Sequence, residues 1–139
     1  MALTQISVRL PDRPGELLKF TQMLHNNNIK IRSITVSQIP GLCLFIVDRP
    51  EECIGILKNK NYDADSKDVV GVLLPHNPSS SVEIEKVAKI LADNEVNIDF
   101  LYSSFIKKTN VMIIHVSDID KAREALTSNG VYLYKDNYS

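Results

Sequence analysis

Leu10-Pro11-Asp12-Arg13-Pro14-Gly15 recurs 64 residues later, in weakened form, as Leu74-Pro75-His76-Asn77-Pro78-Ser79. Each block follows an apolar alternation, Ile6, Val8 and Leu10 in one case and Val70, Val72 and Leu74 in the other, and each precedes a helical pattern. A supersecondary unit written twice decides the fold before any single element does. The first copy carries an acidic residue and a glycine in its turn, and the second has lost both. That asymmetry points to one copy that binds and one that supports.

Working outward, residues 4–10 alternate polar and apolar as a strand with one wet face. Residues 11–15 are turn chemistry. Leu17, Leu18, Phe20, Met23 and Leu24 then follow helical spacing, which Asn26-Asn27-Asn28 should end, because Asn tolerates the left-handed cap conformation. Residues 29–37 read as a second strand whose apolar phase slips between Ile31 and Ile34, the mark of a bulge. Pro40-Gly41 turns into a strand at 42–47. Pro50 opens a helix anchored by Ile54, Ile56 and Leu57, and a strand at 62–66 closes the unit.

The order then repeats: strand 68–74, polar loop 75–81, helix 82–93, strand 97–106, turn 107–110, strand 111–116, a helix capped by Asp118 and ended by Asn129-Gly130, and a closing strand at 131–135. Each unit is β-α-β-β-α-β, the ferredoxin-like order. The fold class is therefore α+β: two tandem ferredoxin-like units, residues 1–67 and 68–139, with antiparallel sheets and helices on one face. A unit of this size is marginal alone. Joining the sheets edge to edge, through strands 29–37 and 97–106, would protect exposed edges. Strands 68–74 and 111–116 are apolar in both phases, so both faces should be covered, most simply in a homodimer.

Composition narrows function. The 139 residues carry a net charge of −1, which gives nucleic-acid binding no electrostatic support. Residues 42–47 form the longest apolar run, too short for a membrane span. No secretory signal pattern is visible at the start, and the expected location is the cytoplasm. Cys43 and Cys53 are expected as a buried core thiol and a partly buried helical thiol. His25, His76 and His115 show no ligand spacing. No metal and no cofactor are expected.

At this point the chain resembles the ACT domain family of small ligand-binding regulatory modules. The resemblance is carried by Ile6-Ser7-Val8-Arg9-Leu10-Pro11-Asp12-Arg13-Pro14-Gly15-Glu16-Leu17 and by Leu24-His25-Asn26-Asn27-Asn28-Ile29-Lys30-Ile31. The first segment is similar to the family's strand and ligand loop, Asp-x-Pro-Gly-x-Leu. Leu91-Ala92-Asp93-Asn94-Glu95-Val96-Asn97-Ile98 repeats the second more loosely. The resemblance implies reversible binding of an amino acid or similar metabolite, without catalysis, by a stand-alone regulator of a partner enzyme or transporter in amino-acid metabolism.

It also implies two composite sites. One joins Asp12, Arg13, Pro14, Gly15, Glu16 and Leu17 with Val96, Asn97 and Ile98; the other joins residues 76–81 with residues 29–31. Chemistry favours the first. Gly15 lets backbone approach a ligand, helix-start amides hold a carboxylate, and Asp12 attracts an ammonium. The second has neither Asp nor Gly and carries Lys30 where the first has Asn97. The same Asp-Arg-Pro-Gly string also serves as an ordinary turn and helix cap.

An acylphosphatase-like hydrolase of the same topology needs a phosphate cradle around an Arg, and no Gly-rich cradle surrounds Arg9 or Arg13. An RNA-binding module needs stacking aromatics on its central strands, where only Phe45 stands. A purely structural assembly subunit is the remaining alternative.

Overall fold

In the computed structural model, which describes residues 3–74 and 80–135, the four helices all end in the same way. They are α1 (Glu16–Asn26), α2 (Pro50–Asn59), α3 (Ser80–Asp93) and α4 (Ile119–Ser128). Just beyond each comes a residue with positive φ: Asn28 at 59°, Asn61 at 65°, Glu95 at 58° and Gly130 at 79°. The next residue donates its N–H back five positions. Ile29 bonds Leu24 at 3.0 Å, Tyr62 bonds Leu57 at 3.0 Å, Val96 bonds Leu91 at 2.9 Å and Val131 bonds Leu126 at 3.0 Å. This is the Schellman motif, with its hydrophobic contact across the helix end. All four leucines are buried. In α1, α3 and α4 the amide of Asn27, Asn94 or Asn129 also donates to the carbonyl four residues back. Each helix is thus fixed to the segment that follows it.

The strands are β1 (Leu3–Arg9), β2 (Ile31–Val36), β3 (Leu42–Val47), β4 (Asp63–Leu73), β5 (Ile98–Ile106) and β6 (Thr109–Val116). The chain divides into an N-terminal unit, residues 4–67, and a C-terminal unit, residue 3 with residues 68–135.

In the N-terminal unit the strand order is β2-β3-β1-β4. Ile6 pairs with Phe45 and Val8 with Cys43, antiparallel. The register of β2 on β3 slips between Ile31 and Ser33, where the apolar phase changed in the sequence. Ile6, Val8, Leu10, Cys43, Phe45 and Val47 face one way, under Phe20 and Leu24 of α1 and Cys53 and Leu57 of α2. Both helices therefore cover one sheet face. Phe20 packs on Phe45 at 5.0 Å between ring centres and edge-on to Tyr62 at 5.2 Å.

In the C-terminal unit the order is β4-β6-β5. Val70, Val72, Met112, Ile114 and Val116 face Val87, Ile90 and Leu91 of α3 and Ala122, Ala125 and Leu126 of α4. The strand expected at 131–135 is reduced to one bridge, Leu133 to Val72, flanked by bonds from Leu73 to Tyr132 at 2.9 Å and from Tyr134 to Gly71 at 2.7 Å.

Further expectations need correction. The strands anticipated at 62–66 and 68–74 are one strand, β4, because nothing in Ser66-Lys67-Asp68 breaks an extended backbone. β2 is hydrogen-bonded to β3 and β5 to β6. Finally, the second apolar phase of β4 and β6 does not await a second copy. Val69, Val111 and Ile113 are at most 1% exposed in the single chain. Around Gly71 on that face, Leu3, Tyr134 and Val111 stand 3.1–3.2 Å from where a Cβ would lie.

Cys53 is 1% exposed rather than partly buried. Burial, aided by the charge of Asp48, pushes its thiol up to about 11, and burial also raises Cys43. Among the described residues no helix is long and apolar enough to cross a membrane. Among the described residues no group of three or more His, Cys, Asp or Glu could hold a metal ion.

Candidate functional site

The loop between β1 and α1 is held at its start by the β2–β3 turn. Leu10 donates its N–H to the carbonyl of Gly41 at 2.7 Å. The loop then tightens through Arg13 N–H to the Pro11 carbonyl at 2.9 Å and Glu16 N–H to the Arg13 carbonyl at 3.3 Å. Gly15, at φ 88°, is the N-cap of α1 and supplies no side-chain cap. Among the described residues no side chain caps the first turn of α1, where the leading N–H groups lack helical partners. Those amides and the positive helix end suit a carboxylate.

The charges of the loop are sorted. Arg13 is paired with Glu16 at 2.8 Å, and Lys19 approaches the same carboxylate at 3.9 Å. Asp12 is exposed, and no ion pair among the described residues engages it. Glu16 is thereby paired within the loop, while Asp12 has no ion-pair partner among the described residues. No Cβ at Gly15 would meet protein within 4 Å, so the space over the helix start is open. Pro14 fixes the backbone before it, and Leu17 is 36% exposed beside it.

Val96, Asn97 and Ile98 lie in the other unit, between α3 and β5. Val96 is buried in the core, so only its backbone can serve a ligand. Asn97 exchanges backbone bonds with Ser117: its N–H donates to Oγ at 2.9 Å and its carbonyl accepts from the Ser117 N–H at 3.0 Å. Its side-chain Nδ2 donates to Asp99 Oδ1 at 2.8 Å, which leaves Oδ1 of Asn97 to accept. The same corner in the N-terminal unit uses Lys30 and Asp48: Lys30 N–H donates to Asp48 Oδ1 at 2.9 Å, and Asp48 N–H returns to the Lys30 carbonyl at 3.0 Å. Residues 75–79, with most of the second loop and His76, lie outside the described residues.

Gly41 and Ser117, which brace these segments, were not singled out from sequence. Pro40-Gly41 read only as a turn, and nothing local in Ser117 marks it as the partner of a residue twenty positions earlier.

The fold is shared with solved proteins. Protein BT0572 from Bacteroides thetaiotaomicron is 27% identical, with 96% of this chain and 92% of that one covered and a TM-score of 0.84. The regulatory subunit of aspartate kinase from Thermus thermophilus, in ligand-free form, is 20% identical over 93% and 91% of the two chains, with a TM-score of 0.63. The corresponding subunit from Thermus flavus is 19% identical over 92% of each, with a TM-score of 0.60. None of the curated proteins matches the sequence. The family profile described as an ACT domain pair matches residues 1–138, and the chain belongs to that family.

Proposed function

We propose that this ACT domain pair is a regulatory module, not a catalyst, that reversibly binds an amino acid at the β1–α1 loop and signals to a partner enzyme or transporter of amino-acid metabolism. The observation that carries the reading is the pairing of opposite needs in one loop: uncapped amides at the start of α1 for a carboxylate, and Asp12, without an ion pair among the described residues, for an ammonium. Val96, Asn97 and Ile98 remain candidate ligand-binding residues on this reading, supported by the acceptor that Asn97 keeps. It assigns one strong site per chain. The likeness to aspartate kinase regulatory subunits supports the fold of such a module.

Assembly as a homodimer belongs to the same reading. Its support is that the described partners of β2 and β5 lie on one side of each strand, and exposed edges are templates for pairing.

Calorimetry with the twenty amino acids tests the function. One of them binds with micromolar to millimolar affinity, about −4 to −8 kcal/mol, and Asp12→Ala weakens it by about 1–3 kcal/mol. Two equal sites per chain, or no binding by any amino acid, would overturn the proposal. Light scattering at micromolar concentration tests the assembly, and a mass of 15.6 kDa would refute it.

A further inference from the structure

The C-terminal unit contains a cleft of about 540 Å³ that shares no lining residue with the loop site. Asp120, Arg123, Glu124 and Thr127 of α4 line one wall. Their spacing, i, i+3, i+4 and i+7, puts them on one side of the helix. The other walls include Val69 and Val70 of β4 and Val131 and Leu133 of the segment that follows α4. A charged stripe on a surface helix is ordinarily just solvated. This one borders a cavity with an apolar floor, and it presents both signs of charge to it.

The pairing state of these charges matters. Arg123 is half-buried. Among the described residues no ion pair engages Arg123, Asp120 or Glu124, although the three stand within about one helical turn. The Thr127 hydroxyl donates to the carbonyls of Arg123 and Glu124, at 2.6 and 3.2 Å, so it competes for none of them. The volume falls within the range of small-ligand pockets, about 300–1,000 Å³.

We propose that this cleft is a second small-molecule site, which takes a zwitterion with its carboxylate on Arg123, its ammonium between Asp120 and Glu124, and an apolar side chain over Val131 and Leu133. The occupant braces α4 against the 131–135 segment, which is otherwise tied to β4 by few backbone bonds. The site is independent of the loop reading: it uses different residues in a different element and stands or falls on its own.

The test is backbone NMR of the full chain, titrated with the twenty amino acids and, separately, with acetate and with ethylammonium. The expected result is that at least one apolar amino acid shifts the amides of 69–71, 123–127 and 130–135 at saturating concentration, while acetate and ethylammonium do so at least tenfold more weakly. Arg123→Gln and the double variant Asp120→Asn, Glu124→Gln should each weaken that binding at least tenfold, and Asp12→Asn should leave those shifts in place. Should Arg123→Gln fail to fold, Lys135→Gln, at another residue that lines the cleft, serves as the folded variant, with a smaller loss. Shifts confined to residues 11–18 and 96–98 would overturn the cleft while preserving the loop site. Equal shifts from acetate alone would overturn the zwitterion assignment, and no shifts from any amino acid would overturn the proposal outright.

Discussion

Leu10 and Gly41 are locked together through the backbone. The Leu10 N–H donates to the Gly41 carbonyl at 2.7 Å, and a Cβ on Gly41, whose φ is 81°, would fall on the Leu10 carbonyl oxygen. The last residue of the first apolar alternation is thus set by the turn between β2 and β3, and the β1–α1 loop begins from that fixed point. Gly41→Ala must both adopt a left-handed conformation, at about 1–2 kcal/mol, and push two backbones apart. Chemical denaturation should show a loss of more than about 2 kcal/mol.

Gly15 is also left-handed, but its environment is the opposite, since no protein atom would meet its Cβ. Gly15→Val should therefore cost only the conformational strain, about 1–2 kcal/mol, and leave the fold intact. Its side chain occupies the open space over the start of α1, so amino-acid affinity should fall at least tenfold. Calorimetry alongside thermal melting separates the two effects.

Glu95 holds the position that Asn28, Asn61 and Gly130 hold after the other three helices, at φ 58°. It is the only one of the four whose side chain disfavours that conformation. Glu95→Gly should stabilise the chain by about 0.5–1 kcal/mol, read by denaturant midpoint, provided the slope of the transition is unchanged.

The hairpin joining β5 to β6 closes Ile106 against Thr109 through Lys107 and Lys108, with φ of 48° and 64°. Both signs are those of a type I′ turn, which prefers Asn-Gly. Replacing the two lysines by Asn-Gly should raise stability by about 1 kcal/mol. Hydrogen exchange at Phe105 and Asn110 reports the effect locally.

Burial raises the folded thiol of Cys53 to about 11 from an ordinary 9.0. A group whose folded pKa is raised contributes stability that is fully present below its unfolded value and is lost as pH climbs through the folded one. Stability should thus fall between about pH 9 and 11, with Cys43 and Tyr102, both raised by burial, acting in the same direction. Cys53→Ala should flatten that loss, whatever its cost at pH 7. At pH 8 the native thiol should resist alkylation that the unfolded chain undergoes at once.

The sequence by itself determined the repeat, the βαββαβ-like pattern of the units and the ends of α1 and α4. These depend on short-range chemistry: alternation of period two, helical spacing, and the Asn and Gly residues that accept a left-handed cap. It also singled out the Asp12–Gly15 loop, because left-handed backbone and a charged turn are written in single residues. What it left open was which of two apolar phases in β4 and β6 would face the helices, since Val70 and Val72 are no more apolar than Val69 and Val111. It left open, too, that 62–66 and 68–74 would run on as one strand, that Gly41 would brace Leu10, and that Arg123 would border a cavity. Those were decided by contacts between residues far apart in the chain, where packing and backbone hydrogen bonding select among arrangements that local pattern leaves nearly equal in energy.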